Sequence, residues 1–238
     1  SIIESSNISY NLSDSKGAGI WVGNQTDLLI EETLIADNIA DGFGGGIFSS
    51  FSSIEINKST IASNLVSSNV LGAGIYADGG DIIIQNSIIY FNRREESDLI
   101  NYNINGYSSN NLIEYNVEYS DIEGSNEWIP EGIGVISINP YFEVNSYFLS
   151  ENSPCIDSGN PEYLDPDGTI FDMGAYYYNQ NLYQEIGDIN GDGIINILDI
   201  VQLVNLVLEN EYEENGDFNG DGMLNVLDIV ALVNIIIS

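Results

Sequence analysis

The sequence predicts a mainly-β protein, a parallel β-solenoid followed by a small helical module, and three observations lead there. A glycine-rich motif, Gly17-Ala18-Gly19-Ile20-Trp21, returns as Gly44-Gly45-Gly46-Ile47-Phe48 and Gly72-Ala73-Gly74-Ile75-Tyr76, so its isoleucines lie 27 and 28 residues apart. Asn11, Asn38, Asn64 and Asn92 keep the same period, each three residues behind an isoleucine (Ile8, Ile35, Ile61, Ile89). Near the end of the chain two loops rich in Asp, Asn and Gly repeat without gaps at an offset of 29 residues. Columns that hold one period over several copies mark stacked coils.

Within each coil the apolar segments are short, as in Asp27-Leu28-Leu29-Ile30, Thr33-Leu34-Ile35-Ala36 and Gly46-Ile47-Phe48. They are β-branched and punctuated by Ser, Asn, Asp and Gly, which is strand–turn chemistry and too interrupted for helices. Like positions then stack at the ~4.8 Å spacing of neighbouring strands. Stacked isoleucine fills the core, stacked asparagine hydrogen-bonds along the ladder, and glycine allows positive φ or close packing where the chain bends.

These rungs resemble the right-handed parallel β-helix (pectate-lyase-like) family, whose coils often carry a Gly-Gly-Gly-Ile-Tyr run and a Ser-x-Ile-x-x-Asn run. The resemblance spans about residues 1–178, and right-handedness is what it and the general handedness of parallel crossovers imply. From about residue 98 the rungs become irregular. The runs 153–161, 165–169 and 172–176 look like a terminal coil of such proteins. The expected domains are a β-helix over 1–180, a linker over 181–186 and a calcium module over 187–238.

In the duplicated tail, counting from Asp188, oxygen donors fall at loop positions 1, 3, 5, 9 and 12: Asp188, Asn190, Asp192, Asn196 and Asp199. The second copy gives Asp217, Asn219, Asp221, Asn225 and Asp228. Gly193 and Gly222 stand where the loop turns sharply, and Ile194 and Met223 are placed to offer a backbone carbonyl. A calcium ion takes six to eight hard oxygens, and this alternation aims them at one centre. Position 12 is Asp rather than the longer Glu of an EF-hand, and no clear helix enters either loop. Both departures, with the loop-plus-helix duplication, resemble a dockerin. That resemblance implies two Ca²⁺ ions and a cohesin-type protein partner on a scaffold or cell surface. Dockerin positions just before the last ligand often touch cohesin, here Ile197, Leu198, Val226 and Leu227. Residues 197–208 are apolar apart from Asp199, Gln202 and Asn205, more than two short helices can bury against each other. The excess docks either on the β-helix end or on a partner.

Composition excludes several classes. Four Lys+Arg against 37 Asp+Glu give a net charge of −33, which repels nucleic acid and anionic membranes. No apolar run reaches the length of a membrane span. The single Cys155 forms no intrachain disulfide and reads as a small core residue. The chain opens at Ser1 without Met or a leader, which suggests a fragment or a processed chain. A lyase needs a base and cationic help, yet there is no His, and the basic residues are Lys16, Lys58, Arg93 and Arg94. Arg93-Arg94 beside Glu95-Glu96 reads as a solvated ion-pair cluster. A glycosidase needs two carboxylates, and Asp157, Asp165, Asp167 and Asp172 cluster, but Asp165-Pro166-Asp167-Gly168 reads first as a turn. The aromatic column Trp21, Phe48 and Tyr76 has two readings, an outward platform for sugar rings or a structural stack.

The sequence is thus read as a secreted or cell-surface protein, bacterial or archaeal, attached through calcium loops to a cohesin-type partner, with no catalytic site in this segment. A polysaccharide-degrading enzyme whose catalytic coils lie partly upstream, and a non-catalytic carbohydrate-binding adhesin, stand as alternatives.

Overall fold

A computed structural model describes residues 1–23, 25–67, 70–95, 103–107, 115–124, 131–180, 186–191 and 194–237. The chain divides into two compact units, Ser1–Tyr178 and Asn179–Ser238.

The first unit is a parallel β-solenoid with four short strands per coil. The first coil holds Ile2–Glu4 (β1), Asn7–Ser9 (β2), Leu12–Ser13 (β3) and Ile20–Gly23 (β4). The second holds Leu28–Glu31 (β5), Leu34–Ala36 (β6), Ile39–Ala40 (β7) and Ile47–Ser50 (β8). Ile54–Asn57 (β9), Thr60–Ala62 (β10), Leu65–Val66 (β11) and Ile75–Asp78 (β12) form the third. Then come Ile82–Gln85 (β13), Ile88–Tyr90 (β14), Arg93–Arg94 (β15) and Ile104–Tyr107 (β16), followed by Tyr115–Glu118 (β17) and Asp121–Ile122 (β18). Each strand pairs with its counterpart one coil away, giving parallel sheets ordered β1-β5-β9-β13-β17, β2-β6-β10-β14-β18, β3-β7-β11-β15 and β4-β8-β12-β16. The register follows the sequence columns, Ile20↔Ile47↔Ile75 and Ile8↔Ile35↔Ile61↔Ile89. Those isoleucines, with Ile30, Ile56 and Ile84, fill one continuous core.

The asparagine column forms a relay. Asn11, Asn38 and Asn64 each donate from Nδ2 to Oδ1 of the asparagine in the next coil, at 2.9 Å each time. The same Oδ1 atoms accept the backbone N–H of the preceding asparagine at 3.0–3.1 Å. Asn92 passes the relay to Asn103 at 2.7 Å, and Asn103 ends it on Glu123. A second relay runs through Thr33, Ser59, Ser87 and Ser120, whose hydroxyls accept a backbone N–H from the coil before and donate to the carbonyl two residues back. Buried turn backbone is thereby satisfied without water.

The first and last glycines of each motif do different work. Gly17, Gly44 and Gly72 take φ of +64°, +72° and +66°. Gly19, Gly46 and Gly74 sit where a Cβ would come within 2.5–2.6 Å of a carbonyl oxygen in the next coil. The corners, by contrast, are turned by single left-handed residues that are not glycine: Ser5, Glu32, Lys58, Asn86 and Tyr119 in one column, Tyr10, Asp37, Ser63 and Phe91 in another. Each costs about 1 kcal/mol, offset by the relay hydrogen bond that follows the corner.

The expected terminal coil over 153–176 is corrected. Among the described residues beyond β18, Ile136 makes a further parallel bridge, pairing with Asp121. The segment beyond it folds back along the outside of the β2-β6-β10-β14-β18 sheet as a strap. Gly174 donates to the Asn86 carbonyl (2.9 Å), Ala175 to Thr60 Oγ1 (2.9 Å) and Tyr147 Oη to Asp37 (3.0 Å), which ties the strap to several coils. Beneath it Ile88, Leu149, Cys155 and Met173 make a second apolar cluster. That sheet is therefore buried on both faces, which is why its strands read Leu34-Ile35-Ala36 and Ile88-Ile89 rather than alternating.

The strap also buries acids. Asp121 accepts from the Ile138 N–H (3.1 Å) and the Cys155 thiol (3.4 Å), and burial pushes its carboxyl up to about 7. Burial likewise raises Asp172 to about 6 and pushes the Cys155 thiol up, so Cys155 is an inert core residue among these groups.

In the second unit Ile197–Glu209 (α1) and Val226–Ile237 (α2) pack together, with a short 3-10 turn at Glu214–Gly216 between them. Among the described residues no helix is long and apolar enough to cross a membrane.

Two outcomes follow. Asn64→Ala orphans partners on both sides of the relay and should lower unfolding free energy by about 2–4 kcal/mol in urea, against less than about 1 for Asn11→Ala at the exposed end; equal effects would contradict the relay. For pH, the folded carboxyls of Asp121 and Asp172 lie above their unfolded values. Their contribution is therefore full below about pH 4 and lost as pH rises through 6 to 7. The urea midpoint should fall between pH 5 and 8, and Asp121→Asn should shrink that fall; an unchanged slope would rule this out.

Candidate metal centre

The two tail loops are built alike because the same residues meet the same backbone needs 29 positions apart. Asn196 is the N-cap of α1: its Oδ1 accepts the Leu198 N–H at 2.8 Å while Asp199 accepts the Asn196 N–H at 2.8 Å, a reciprocal capping box. Asn225 and Asp228 repeat this at α2, with Leu227 N–H to Asn225 at 2.9 Å and Asn225 N–H to Asp228 at 2.9 Å. Asp199 also reaches back to the loop entrance, accepting from Ile189 (2.9 Å) and Asn190 (3.1 Å), and Asp228 accepts from Phe218 (3.1 Å). Each last-position carboxylate thus pins the loop's start to its helix.

Asp199 and Asp228 are fully buried, and Asp188 nearly so. Residues 186–237 hold ten carboxylates and no Lys, Arg or His. Burial alone raises the Asp199 carboxyl; the N–H groups of Asn196, Asn190 and Ile189 outweigh it and hold the group below the usual carboxylate range. Asp217 is held low in the same way, against desolvation, by the Gly222, Gly220 and Asp221 N–H groups and the Tyr212 hydroxyl. Both acids are charged at neutral pH. A charged carboxylate taken out of water needs a countercharge, and no side chain of the tail supplies one.

The structure places the candidate ligands as follows. Asp188 and Asp217 fold over their own loops, accepting from Gly191 (2.9 Å) and from Gly220 (2.8 Å) and Gly222 (2.8 Å). Asn219 and Asp221 line the second loop, with Asp221 N–H to Asn219 at 2.9 Å and Met223 N–H to Asp221 at 3.0 Å. The side chains of Ile194 and Met223 are exposed, and their carbonyls accept from Asn196 and Asn225 Nδ2. Asp192 and Gly193 lie outside the described residues. Among the described residues no three Asp, Glu, Cys or His side chains form a ready cluster. The donor set mixes carboxylates, carboxamides and main-chain carbonyls, all hard oxygens, which suits Ca²⁺ rather than a transition metal.

The loops are cross-braced. Leu203 of α1 packs on Gly216, where a Cβ would come within 2.8 Å, and Leu232 of α2 packs on Gly187, within 3.1 Å. These two leucines are the buried apolar residues of their helices. Ile197, Leu198 and Val201 on α1, with Val226, Leu227 and Val230 on α2, are all more than half exposed, a matched apolar triplet on each helix.

In the solenoid the aromatic column is in register, Trp21↔Phe48↔Tyr76, but it is no continuous platform. Phe48 is 3% exposed: Tyr76 stacks on it at 5.8 Å between ring centroids, and Lys16 Nζ lies 4.5 Å over its ring. The outward platform over three residues is corrected to a structural stack with Trp21 left exposed. The strap acids lie close together, the charges of Asp165 and Asp157 adding to burial in raising Asp172, and backbone N–H groups and Lys58 hold them. Asp165 is engaged by Lys58 (3.0 Å) and the Asp172 N–H (2.7 Å), while Asp172 accepts from Asp157 N–H at 2.7 Å. The Arg93 reading is also corrected: its partner is the buried Glu123, bidentate at 2.7 and 3.0 Å, and not the neighbouring Glu95.

Gly187→Ala should test the cross-brace, because it adds a Cβ at φ +109° against Leu232. A loss of about 1–3 kcal/mol from the tail's thermal transition is expected, with the solenoid's transition unmoved; no loss would contradict the packing.

Residues 186–237 match the dockerin type I domain family. Comparison with curated proteins and with solved structures gives no match. Dockerin type I domains bind calcium and dock into cohesin domains, and they mark extracellular proteins of the cellulosome type. The chain is thus a β-solenoid followed by a dockerin type I domain.

Proposed function

We propose that the tail binds two Ca²⁺ ions, one per loop, and that the loaded tail attaches the solenoid to a cohesin-type partner outside the cell. The observation that carries this reading is the pair of buried carboxylates, Asp199 and Asp228, in a tail without one basic side chain. The first ion is held by Asp188, Asn190, Asp192, the Ile194 carbonyl and Asp199. The second is held by Asp217, Asn219, Asp221, the Met223 carbonyl and Asp228. Asn196 and Asn225 are spent on capping the helices, so they would reach a bound ion through a water, as position 9 commonly does. The ion neutralises the loop's acids and locks the helix start to the loop, which sets the two helices for docking.

The partner face is formed by Ile197, Leu198, Val226 and Leu227, extended by Val201 and Val230, all left in water in this chain. An exposed apolar patch on a small helical pair is the mark of an interaction surface.

Calorimetric titration of the whole chain with Ca²⁺ is expected to give two equivalents, reduced to one by Asp188→Ala and to one by Asp217→Ala. A stoichiometry of zero, or two equivalents in both variants, contradicts the ligand assignment. Binding to immobilised type I cohesin is expected to vanish in chelator. It should weaken by about thirtyfold or more in the double variant Leu198→Asp, Leu227→Asp; undiminished binding would place the partner face elsewhere.

A further inference from the structure

Beside the buried stack lies an aromatic pair that the sequence columns do not join. Trp21 and Phe51 are 55% and 62% exposed, and with Gln25 and Ser50 they line an open depression of about 430 Å³. Both rings are seated on glycine. The Trp21 indole lies over Gly23, where a Cβ would come within 2.7 Å of the ring, and Phe51 lies over Gly79, where one would come within 3.2 Å. Gln25 and Phe51 turn the same corner in consecutive coils, each at positive φ (58° and 51°), so the amide and the phenyl ring are held by the coil stacking rather than by a free loop. The corner is anchored from within, where Ser52 Oγ accepts the Thr26 N–H at 3.1 Å and donates to the Ser50 carbonyl.

From this geometry we infer that Trp21, Gln25, Ser50 and Phe51 form a subsite for one or two residues of a neutral polysaccharide. A pyranose presents an apolar C–H face with hydroxyls round its edge, and this depression presents two aromatic rings with an amide and a hydroxyl. The volume lies in the range of a small-molecule site. The four described residues that line it offer far less than the ~800 Å² per partner of a stable protein interface. None of the four basic residues lines it, and the chain carries −33, so a polyanionic glycan finds no countercharge. The subsite lies wholly in the solenoid and is independent of the calcium tail.

The test uses the 238-residue chain with Trp128→Phe, which leaves Trp21 as the sole indole. It is titrated with cellohexaose, xylohexaose, mannohexaose and hexagalacturonate, reading indole emission and heat. At least one neutral hexamer should bind saturably and shift the emission, and hexagalacturonate should not. Phe51→Ala should weaken that binding about tenfold or more with the far-ultraviolet circular dichroism unchanged. Trp21→Ala, followed by heat alone, should do the same. The inference is overturned if no neutral hexamer binds, if hexagalacturonate binds as tightly, or if both variants bind like the parent.

Discussion

Buried polar groups need partners, and this chain must find them almost without cations. Four basic residues face 37 acids. Lys58 is spent on Asp165, Arg93 on Glu123, and Lys16 over the Phe43 and Phe48 rings. Most of the remaining buried polar groups are left to neutral donors, to protonation or to an ion from outside. The solenoid uses the first two. Asparagine and hydroxyl relays hand hydrogen bonds from coil to coil, and Asp121 sits under the strap against a thiol and an N–H with its carboxyl pushed towards neutrality. The tail is proposed to take the third course, because backbone N–H groups hold the carboxyl of its buried Asp199 below the usual carboxylate range.

The same constraint gives each unit its order. In the solenoid, an Asn whose Oδ1 and Nδ2 both point to neighbouring coils tolerates no slip, since one residue of shift would turn the whole set to the other face. In the tail, each terminal Asp ties a loop entrance to a helix start, while Leu203 and Leu232 cross to the other copy's glycine. A helix of thirteen residues is marginal alone; here it is held by its loop and its twin. That coupling lets a bound ion govern whether the apolar triplets are presented together.

Much of this was legible in the residues. Period, core isoleucines, relay asparagines and duplicated loops all showed because each recurs at a fixed interval. What did not show depends on partners distant in sequence. The strap reads as turns, since its contacts with Asp37, Thr60 and Asn86 lie 74 to 115 residues away. Arg93 looked paired with the glutamates beside it, yet a strand sends neighbours to opposite faces and Glu123 comes from the next coil. Phe48 shares a column with Trp21 but is covered by Tyr76 of the next coil and by Lys16, which comes from outside that column. The corners were missed because bulky residues such as Tyr10 and Phe91 carry no glycine-like signal for positive φ. One signal of the strap does stand in the sequence: the unbroken apolar runs Leu34-Ile35-Ala36 and Ile88-Ile89 announce a sheet covered on both faces. Asn196 and Asn225 were legible as oxygen donors but not as caps, because loop position 9 and the helix N-cap are the same residue.

The central claim, that an ion completes the tail, is tested most directly by amide hydrogen exchange of α1 and α2 in saturating Ca²⁺ and in excess chelator. Protection over 197–209 and 226–237 should collapse on chelation while the solenoid amides exchange as before. Equal protection of both helices in the two conditions would show that buried Asp199 and Asp228 stand without a metal, and would contradict it.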